Sequence, residues 1–258
     1  MKLLDRWRSI EPTIRSEGRL VRLDSAHRTV FIGDTHGDLD ATERVIARFG
    51  DSETTLIFLG DAVDRGADSR GNLERILQAK SDAPDRVFLL MGNHEGWGAA
   101  TFSPADFWMS LPSDEERELA RGLLSLPLAA WHPAGLLAVH GGLPDLRSVQ
   151  EIESIVPGSP TWRDVVWGDW TEAWHAAPSR SAIGRPTYGQ DVFQHRIEAL
   201  NLRVVIRSHQ PNAPTYLYDD RCLTLFTSSA YGGTIRRVAV WTASTRLRTA
   251  RDLELVEL

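Results

Sequence analysis

The stretch VFIGDTHGDLD, residues 30–40, ends an apolar run in three acids and a histidine, Asp34, His36, Asp38 and Asp40. Like charges crowded into one turn need partners elsewhere in the chain. Working outward, RTVFIGD (28–34) reads as a strand and LDATERVIARFG (39–50) as a helix closed by Gly50. TTLIFLGD (54–61), SRGNLERILQAK (69–80) and RVFLLMGN (86–93) repeat the alternation as strand, helix and strand. This order predicts parallel βαβ units and places the chain in the α/β (α+β) class.

The second half reads as more β-rich. AGLLAVH (134–140) and LRVVIRSH (202–209) are strands that end in histidine, and PTYLYDD (214–220), CLTLFTS (222–228) and RRVAVWT (236–242) predict an antiparallel closing sheet. The Trp- and Pro-rich passage over 155–187 reads as a long surface excursion. GWGAATFSPADFWMSLPSDEERELARGLLSLP (96–127) is helix-rich and apolar enough to form a lid or a groove wall. Repeats, low-complexity tracts and linkers are not evident, so residues 1–258 are expected to form a single domain.

Composition narrows the class. In 258 residues, 42% hydrophobic and 25% charged content is that of an ordinary globular protein. The net charge of -6 argues against nucleic acid as a main partner, so an anionic substrate must be met by local arginines. No apolar run approaches the roughly 20 residues of a membrane span, and a soluble, cytoplasmic protein is expected. Cys222 has no cysteine partner in the chain and reads as a buried, inert thiol. The oligomeric state is open at this level.

The apolar runs end in GDTHG (Asp34, His36), GDAVDRG (Asp61, Asp64, Arg65), GNHE (Asn93, His94, Glu95), HGG (His140) and RSHQ (His209). Each cluster falls at the carboxyl end of a predicted strand, where open α/β sheets place ligand sites. Carboxylate, amide and imidazole together suit manganese, iron, zinc or a similar divalent ion, whereas calcium prefers oxygen alone. One ion takes three or four of these groups and the chain offers at least six. Two ions sharing a carboxylate, about 3.5–4 Å apart, use them all. Singly, each cluster also reads as structure: a strand-ending turn, a helix cap or a core histidine. Their joint occurrence at strand ends points to metal.

These motifs, in this order, resemble the phosphoprotein phosphatase group (PPP-type serine/threonine phosphatases) within the calcineurin-like metallophosphoesterases. Further echoes are VVWGDW (165–170), TYGQDVF (187–193) and SSAYGG (228–233), so the resemblance spans about residues 28–235. It implies a central β-sandwich flanked by helices, with a dinuclear site at one edge. It also implies that Asp34, His36 and Asp61 hold one ion and that Asp61, Asn93, His140 and His209 hold the other. His94 and Asp64 become the acid pair, Arg65 holds substrate phosphate, and Tyr231 matches a family position beside the site. Manganese is the first expectation for the two divalent ions, with iron or zinc as alternatives. The implied activity is phosphomonoester hydrolysis by a metal-activated water with His94 as general acid. Its substrates would be phosphoserine and phosphothreonine in proteins, or a phosphorylated small molecule. A dinucleoside polyphosphate hydrolase and a non-catalytic metal-stabilised binding module are the competing readings.

The chain departs from the pattern at several points. Met91 stands where the family usually has an arginine, and Gly232 where many eukaryotic members have a cysteine. In RSAIGRPTYG the family's second phosphate-holding arginine would fall on Ala182. Arg185 is expected to replace it, with Arg180 as a weaker substitute and Arg207 as a scaffold residue. His27, His132, His175 and His195 read as surface or capping residues, Asp38 and Asp40 as helix-starting acids, and Asp68 as a solvated turn residue. The tryptophans are expected to fill the core and line the cleft, and Asp169 reads equally as structural or functional.

Overall fold

The computed structural model describes residues 2–23, 28–176, 185–233 and 235–258. The α-helices among these residues are α1 (Leu3–Ser16), α2 (Leu39–Phe49), α3 (Ser69–Asp82), α4 (Asp106–Ser110), α5 (Ser113–Leu123), α6 (Pro160–Trp167) and α7 (Gln190–Ala199). The strands are β1 (Leu20–Arg22), β2 (Arg28–Ile32), β3 (Thr54–Phe58), β4 (Val87–Leu89), β5 (Ala129–His132), β6 (Leu136–Val139) and β7 (Asp169–Trp170). They continue with β8 (Thr187–Tyr188), β9 (Val204–Arg207), β10 (Tyr216–Leu217), β11 (Cys222–Thr224), β12 (Arg237–Thr242) and β13 (Glu254–Glu257).

The βαβ expectation is met in register. β2, β3 and β4 are parallel, with Phe31 opposite Ile57 and Ile57 opposite Phe88. The helices between them begin at side-chain caps: Asp38 accepts from Ala41 N–H at 3.1 Å, and Asp68 from Gly71 N–H at 2.8 Å. Asp68 is therefore more than a solvated turn residue, because it satisfies an otherwise unpaired donor of the first helical turn.

Among the described residues the strands form a five-stranded sheet ordered β13-β12-β2-β3-β4, a six-stranded sheet ordered β1-β5-β6-β9-β11-β10, and a β7-β8 ribbon. Side-chain alternation splits the five-stranded sheet. Phe31, Ile57, Ala239 and Trp241 join Ala138, Val204, Ile206 and Leu223 of the six-stranded sheet in one buried cluster. Val30, Ile32, Leu56 and Phe58 face the other way, into the cluster that the helices complete with Trp7, Val45 and Leu73. The fold is a β-sandwich flanked by helices, as anticipated.

The closing sheet is corrected. β10 and β11 pair antiparallel within the six-stranded sheet, but β12 crosses to the other sheet and pairs antiparallel with β2, Ala239 opposite Phe31. Local alternation predicts strands and not the sheet they join. Within the 155–187 passage, residues 160–170 are no surface excursion, since Trp162, Trp167 and Trp170 are buried and α6 packs into the core, whereas residues 172–175 are exposed. Four tryptophans, Trp7, Trp108, Trp162 and Trp241, are fully buried. His132 Nδ1 accepts from Ala134 N–H at 3.0 Å, exposed His175 pairs with Asp191 at 2.6 Å, and His195 is exposed; His27 lies outside the described residues. Among the described residues, no helix is long and apolar enough to cross a membrane.

Candidate metal centre

The site lies where the ends of β2, β3 and β4 meet the ends of β6 and β9. Beyond β2, Gly33 N–H donates to Thr227 Oγ1 at 2.9 Å and Asp34 N–H to Ser208 Oγ at 2.7 Å, and Asp34 bridges Phe226. These bonds close the open end of the sandwich. His36, Asp61, Asp64, Arg65 and His209 all have positive φ, between 43° and 74°. Each non-glycine residue so placed costs roughly 1–3 kcal/mol, and such strain collects at functional sites. Hydrogen bonds hold it: His36 N–H reaches Asp61 O at 2.8 Å and Gly37 N–H reaches Ala62 O at 2.9 Å.

Glu95 braces the same turns. Its buried carboxylate accepts from Asp61 N–H at 2.7 Å, Ala62 N–H at 2.9 Å and Gly92 N–H at 3.0 Å. Burial, aided by Asp61, pushes its carboxyl up to about 7. Sequence reasoning assigned Glu95 no role, although GNHE displayed it. Gly92 is required by close approach, because a Cβ there would lie 2.2 Å from Asp61 Oδ1.

Two groups of donor atoms form on this frame, and Asp61 belongs to both. In the first, His36 Nδ1–H donates to Val63 O at 2.9 Å, which turns Nε2 inward, 3.5 Å from Asp34 Oδ2 and 3.7 Å from Asp61 Oδ2. His94 Nε2 lies 3.9 Å from Asp61 Oδ2 and completes the His36, Asp61 and His94 group. In the second, His140 Nδ1–H donates to Leu59 O at 2.9 Å. Its Nε2 then faces His209 Nδ1 at 3.1 Å, Asn93 Oδ1 at 3.2 Å and Asp61 Oδ2 at 3.3 Å. Backbone carbonyls thus set which nitrogen each ring presents, as around metal-bound histidines.

The donor set fits divalent cations. Asp34 Oδ2 is buried with no hydrogen-bond partner, and the carboxylates of Asp34 and Asp61 face imidazole nitrogens at 3.3–3.7 Å. Burial alone would discourage protons on His36 and His140, yet the surrounding carboxylates push both up to about 9. Such a concentration of negative charge and lone pairs is what a cation satisfies. His209 is held well below the usual imidazole range by burial and by His140. Its Nε2 lies 3.4 Å from Asp169 Oδ1. Asp169 therefore stands behind a candidate ligand, a position that WGDW alone left undecided.

His94 and Asp64 pair beside the first group. His94 Nδ1–H donates to Asp64 Oδ2 at 2.5 Å, and Asp64 Oδ1 accepts Phe107 N–H at 2.8 Å. The 96–127 segment forms a wall here: Phe102 lies 4.4 Å from the His94 ring, Trp108 Nε1 donates to His94 O, and Arg65 Nη1 donates to Pro104 O at 3.1 Å. Tyr231 sits 5.6 Å from the His36 ring and hydrogen-bonds Arg65, with burial raising its phenol. Arg185 Nη1 lies 3.6 Å from Asp169 Oδ2, and its guanidinium stacks 5.2 Å over Trp167, itself 6.1 Å from His209. That places Arg185 on the His209 side; Arg180 and Ala182 lie outside the described residues. Arg207 is buried against Thr224 and Cys222, whose thiol burial pushes up to about 11. At Met91, Sδ accepts Trp162 Nε1–H at 3.2 Å, so a core contact occupies the place of the family's arginine.

The sequence profile of the calcineurin-like phosphoesterases matches residues 27–213, and the chain belongs to that family. It is similar to serine/threonine-protein phosphatase rdgC of Drosophila melanogaster, 29% identical over 77% of this chain and 34% of that protein. It is 28% identical to the serine/threonine-protein phosphatase 6 catalytic subunit of Drosophila melanogaster, over 77% of this chain and 69% of that one. The serine/threonine-protein phosphatase 4 catalytic subunit of Saccharomyces cerevisiae is 27% identical over 84% of this chain and 74% of that one. The chain spans only 34% of the length of rdgC and 50% of that of a relative from Encephalitozoon cuniculi. In fold it superposes on a serine/threonine phosphatase of Saccharomyces cerevisiae with similarity to human PP5, at a TM-score of 0.84 and 22% identity. That match covers 99% of this chain and 88% of the other.

Proposed function

We propose that this chain is a dinuclear metal-dependent phosphomonoesterase that removes phosphate from phosphoserine and phosphothreonine in proteins. The observation that carries the reading is the Asp61 carboxylate, which belongs to both donor groups. Asp34, His36 and Asp61 would hold one divalent ion, and Asp61, Asn93, His140 and His209 the other. Manganese is the first choice and iron or zinc the alternatives. When bound, such a pair supplies a water of lowered pKa and positive charge toward the phosphoryl oxygens. Arg65, with Tyr231 hydrogen-bonded to it, and Arg185 on the opposite side hold the substrate phosphate. His94 delivers a proton from Nε2 to the leaving oxygen while Asp64 holds Nδ1 and stabilises the charged ring. The Phe102 and Trp108 wall keeps water from that ring. Similarity to the serine/threonine phosphatases supports the substrate class, and the cytoplasm, with its phosphoproteins, is the proposed location.

The test compares phosphate release from a phosphoserine peptide with cleavage of diadenosine tetraphosphate by the manganese-loaded protein. Faster turnover of the peptide is expected. Cleavage of the dinucleotide with no peptide turnover would replace this reading with a dinucleoside polyphosphate hydrolase, and inactivity on both would leave a binding module.

A further inference from the structure

Tyr231 reaches the metal edge between Ser229 and Arg236, and both of these residues are tied to one carboxylate. Ser229 gives Asp38 Oδ2 two hydrogen bonds, from its N–H at 2.8 Å and its hydroxyl at 2.7 Å. Arg236 Nη2 donates to Asp38 Oδ1 at 3.0 Å and to Ser229 Oγ at 3.1 Å, and Nη1 to Asp40 Oδ2 at 2.6 Å. Asp38 is 8% exposed, so the carboxylate at the centre of the clamp is buried, while Arg236 and Ser229 close over it from the surface. Gly232 and Gly233 stand in open space, since a Cβ on either would meet nothing within 4 Å. Tyr231 itself meets Arg65 and the rings of His36 and Phe226, all at the site.

With open space around Gly232 and Gly233, Tyr231 takes its position from the ties at Ser229 and Arg236 together with its own ring contacts. Asp38 is the last residue of GDTHGD, the turn that also carries Asp34 and His36. The clamp therefore registers the tyrosine directly against the metal-donor turn. The planar guanidinium of Arg236 reaches two carboxylates and a hydroxyl at once, which a lysine ammonium cannot match.

We propose that Arg236, clamped on Asp38, is a positioning residue for phosphate binding, setting the Tyr231 hydroxyl beside Arg65 where both meet the phosphoryl oxygens. This rests on the phosphatase reading above. The metal-loaded protein, its Arg236→Ala and its Arg236→Lys are compared in hydrogen exchange at Ser229, calorimetric binding of inorganic phosphate, and steady-state hydrolysis of nitrophenyl phosphate.

Arg236→Ala is expected to speed exchange at Ser229 and to weaken phosphate binding about tenfold, the low end for losing a hydrogen bond to a charged group. KM rises by a similar factor while kcat and metal content hold, and Arg236→Lys falls between. Faster exchange with unchanged phosphate affinity and KM would overturn the proposal, as would unchanged exchange. Exchange and phosphate binding need no turnover. A protein that shows both effects but cleaves no phosphomonoester would therefore keep the clamp and remove the phosphatase reading.

Discussion

The two halves of the metal edge are built by opposite routes. Asp34, His36, Asp61 and His94 leave three successive strands of one sheet, and their turns bond directly to one another, His36 N–H to Asp61 O and His94 N–H to Asp61 Oδ1 at 2.9 Å. His140, His209 and Asp169 come from the other sheet and from the end of α6, and they reach the site only because the sandwich closes. Asp61 is the joint, with Asn93 contributing beside His140. The first half is set by local geometry. The second half is set by how one sheet lies against the other.

The largest effect is expected at the joint. Asp61→Asn should reduce both ions and with them nearly all activity, and Gly92→Ala should act in the same direction by crowding the Asp61 carboxylate. Elemental analysis is the measurement, and one full ion per chain in Asp61→Asn would show that the halves do not share it.

Next comes His94, the proposed acid, whose Nε2 also stands in the first donor group. His94→Asn should slow hydrolysis of alkyl phosphates by roughly 10²–10⁴-fold. Metal content should persist, and nitrophenyl phosphate, whose leaving group hardly needs a proton, should suffer less. Loss of an ion would make His94 a ligand, as its place in the first donor group allows.

Asp169→Asn tests the second half alone. It removes the carboxylate behind His209 and should weaken one ion by about 10–100-fold while sparing the other, read by metal titration. Equal weakening of both ions would dissolve the distinction between halves. The smallest effect is expected from Arg185→Ala, with phosphate affinity lowered roughly threefold to tenfold and metal content unchanged. If kcat/KM on a phosphopeptide does not move, Arg65, Tyr231 and the ions hold phosphate without it.

The same division explains what could be read in advance. GDTHG, GDAVDRG and GNHE displayed their donors at the ends of runs whose periodicity had already marked strands, so the first half was legible as a unit. His140 and His209 were legible as types at strand ends, but nothing local says that His140 Nε2 and His209 Nδ1 stand 3.1 Å apart. Asp169 and Glu95 were visible and unassigned, because their work is done through contacts to other elements. The clamp on Asp38 joins residues nearly two hundred positions apart, and helix chemistry near Asp38 gave a sufficient local reason for the acid.

By itself the sequence determined the βαβ order, the strand ends and the kinds of donor that gather there, because backbone periodicity and turn chemistry act over a few residues. Tertiary structure decided that β12 joins β2 across the sandwich, that α6 buries its tryptophans, and that Asp61 faces both histidine groups. It also decided which imidazole nitrogen points inward, through the carbonyls of Val63 and Leu59. Those outcomes depend on two sheets packing face to face, and burial of their shared side chains sets that placement with no signature in any one stretch of chain.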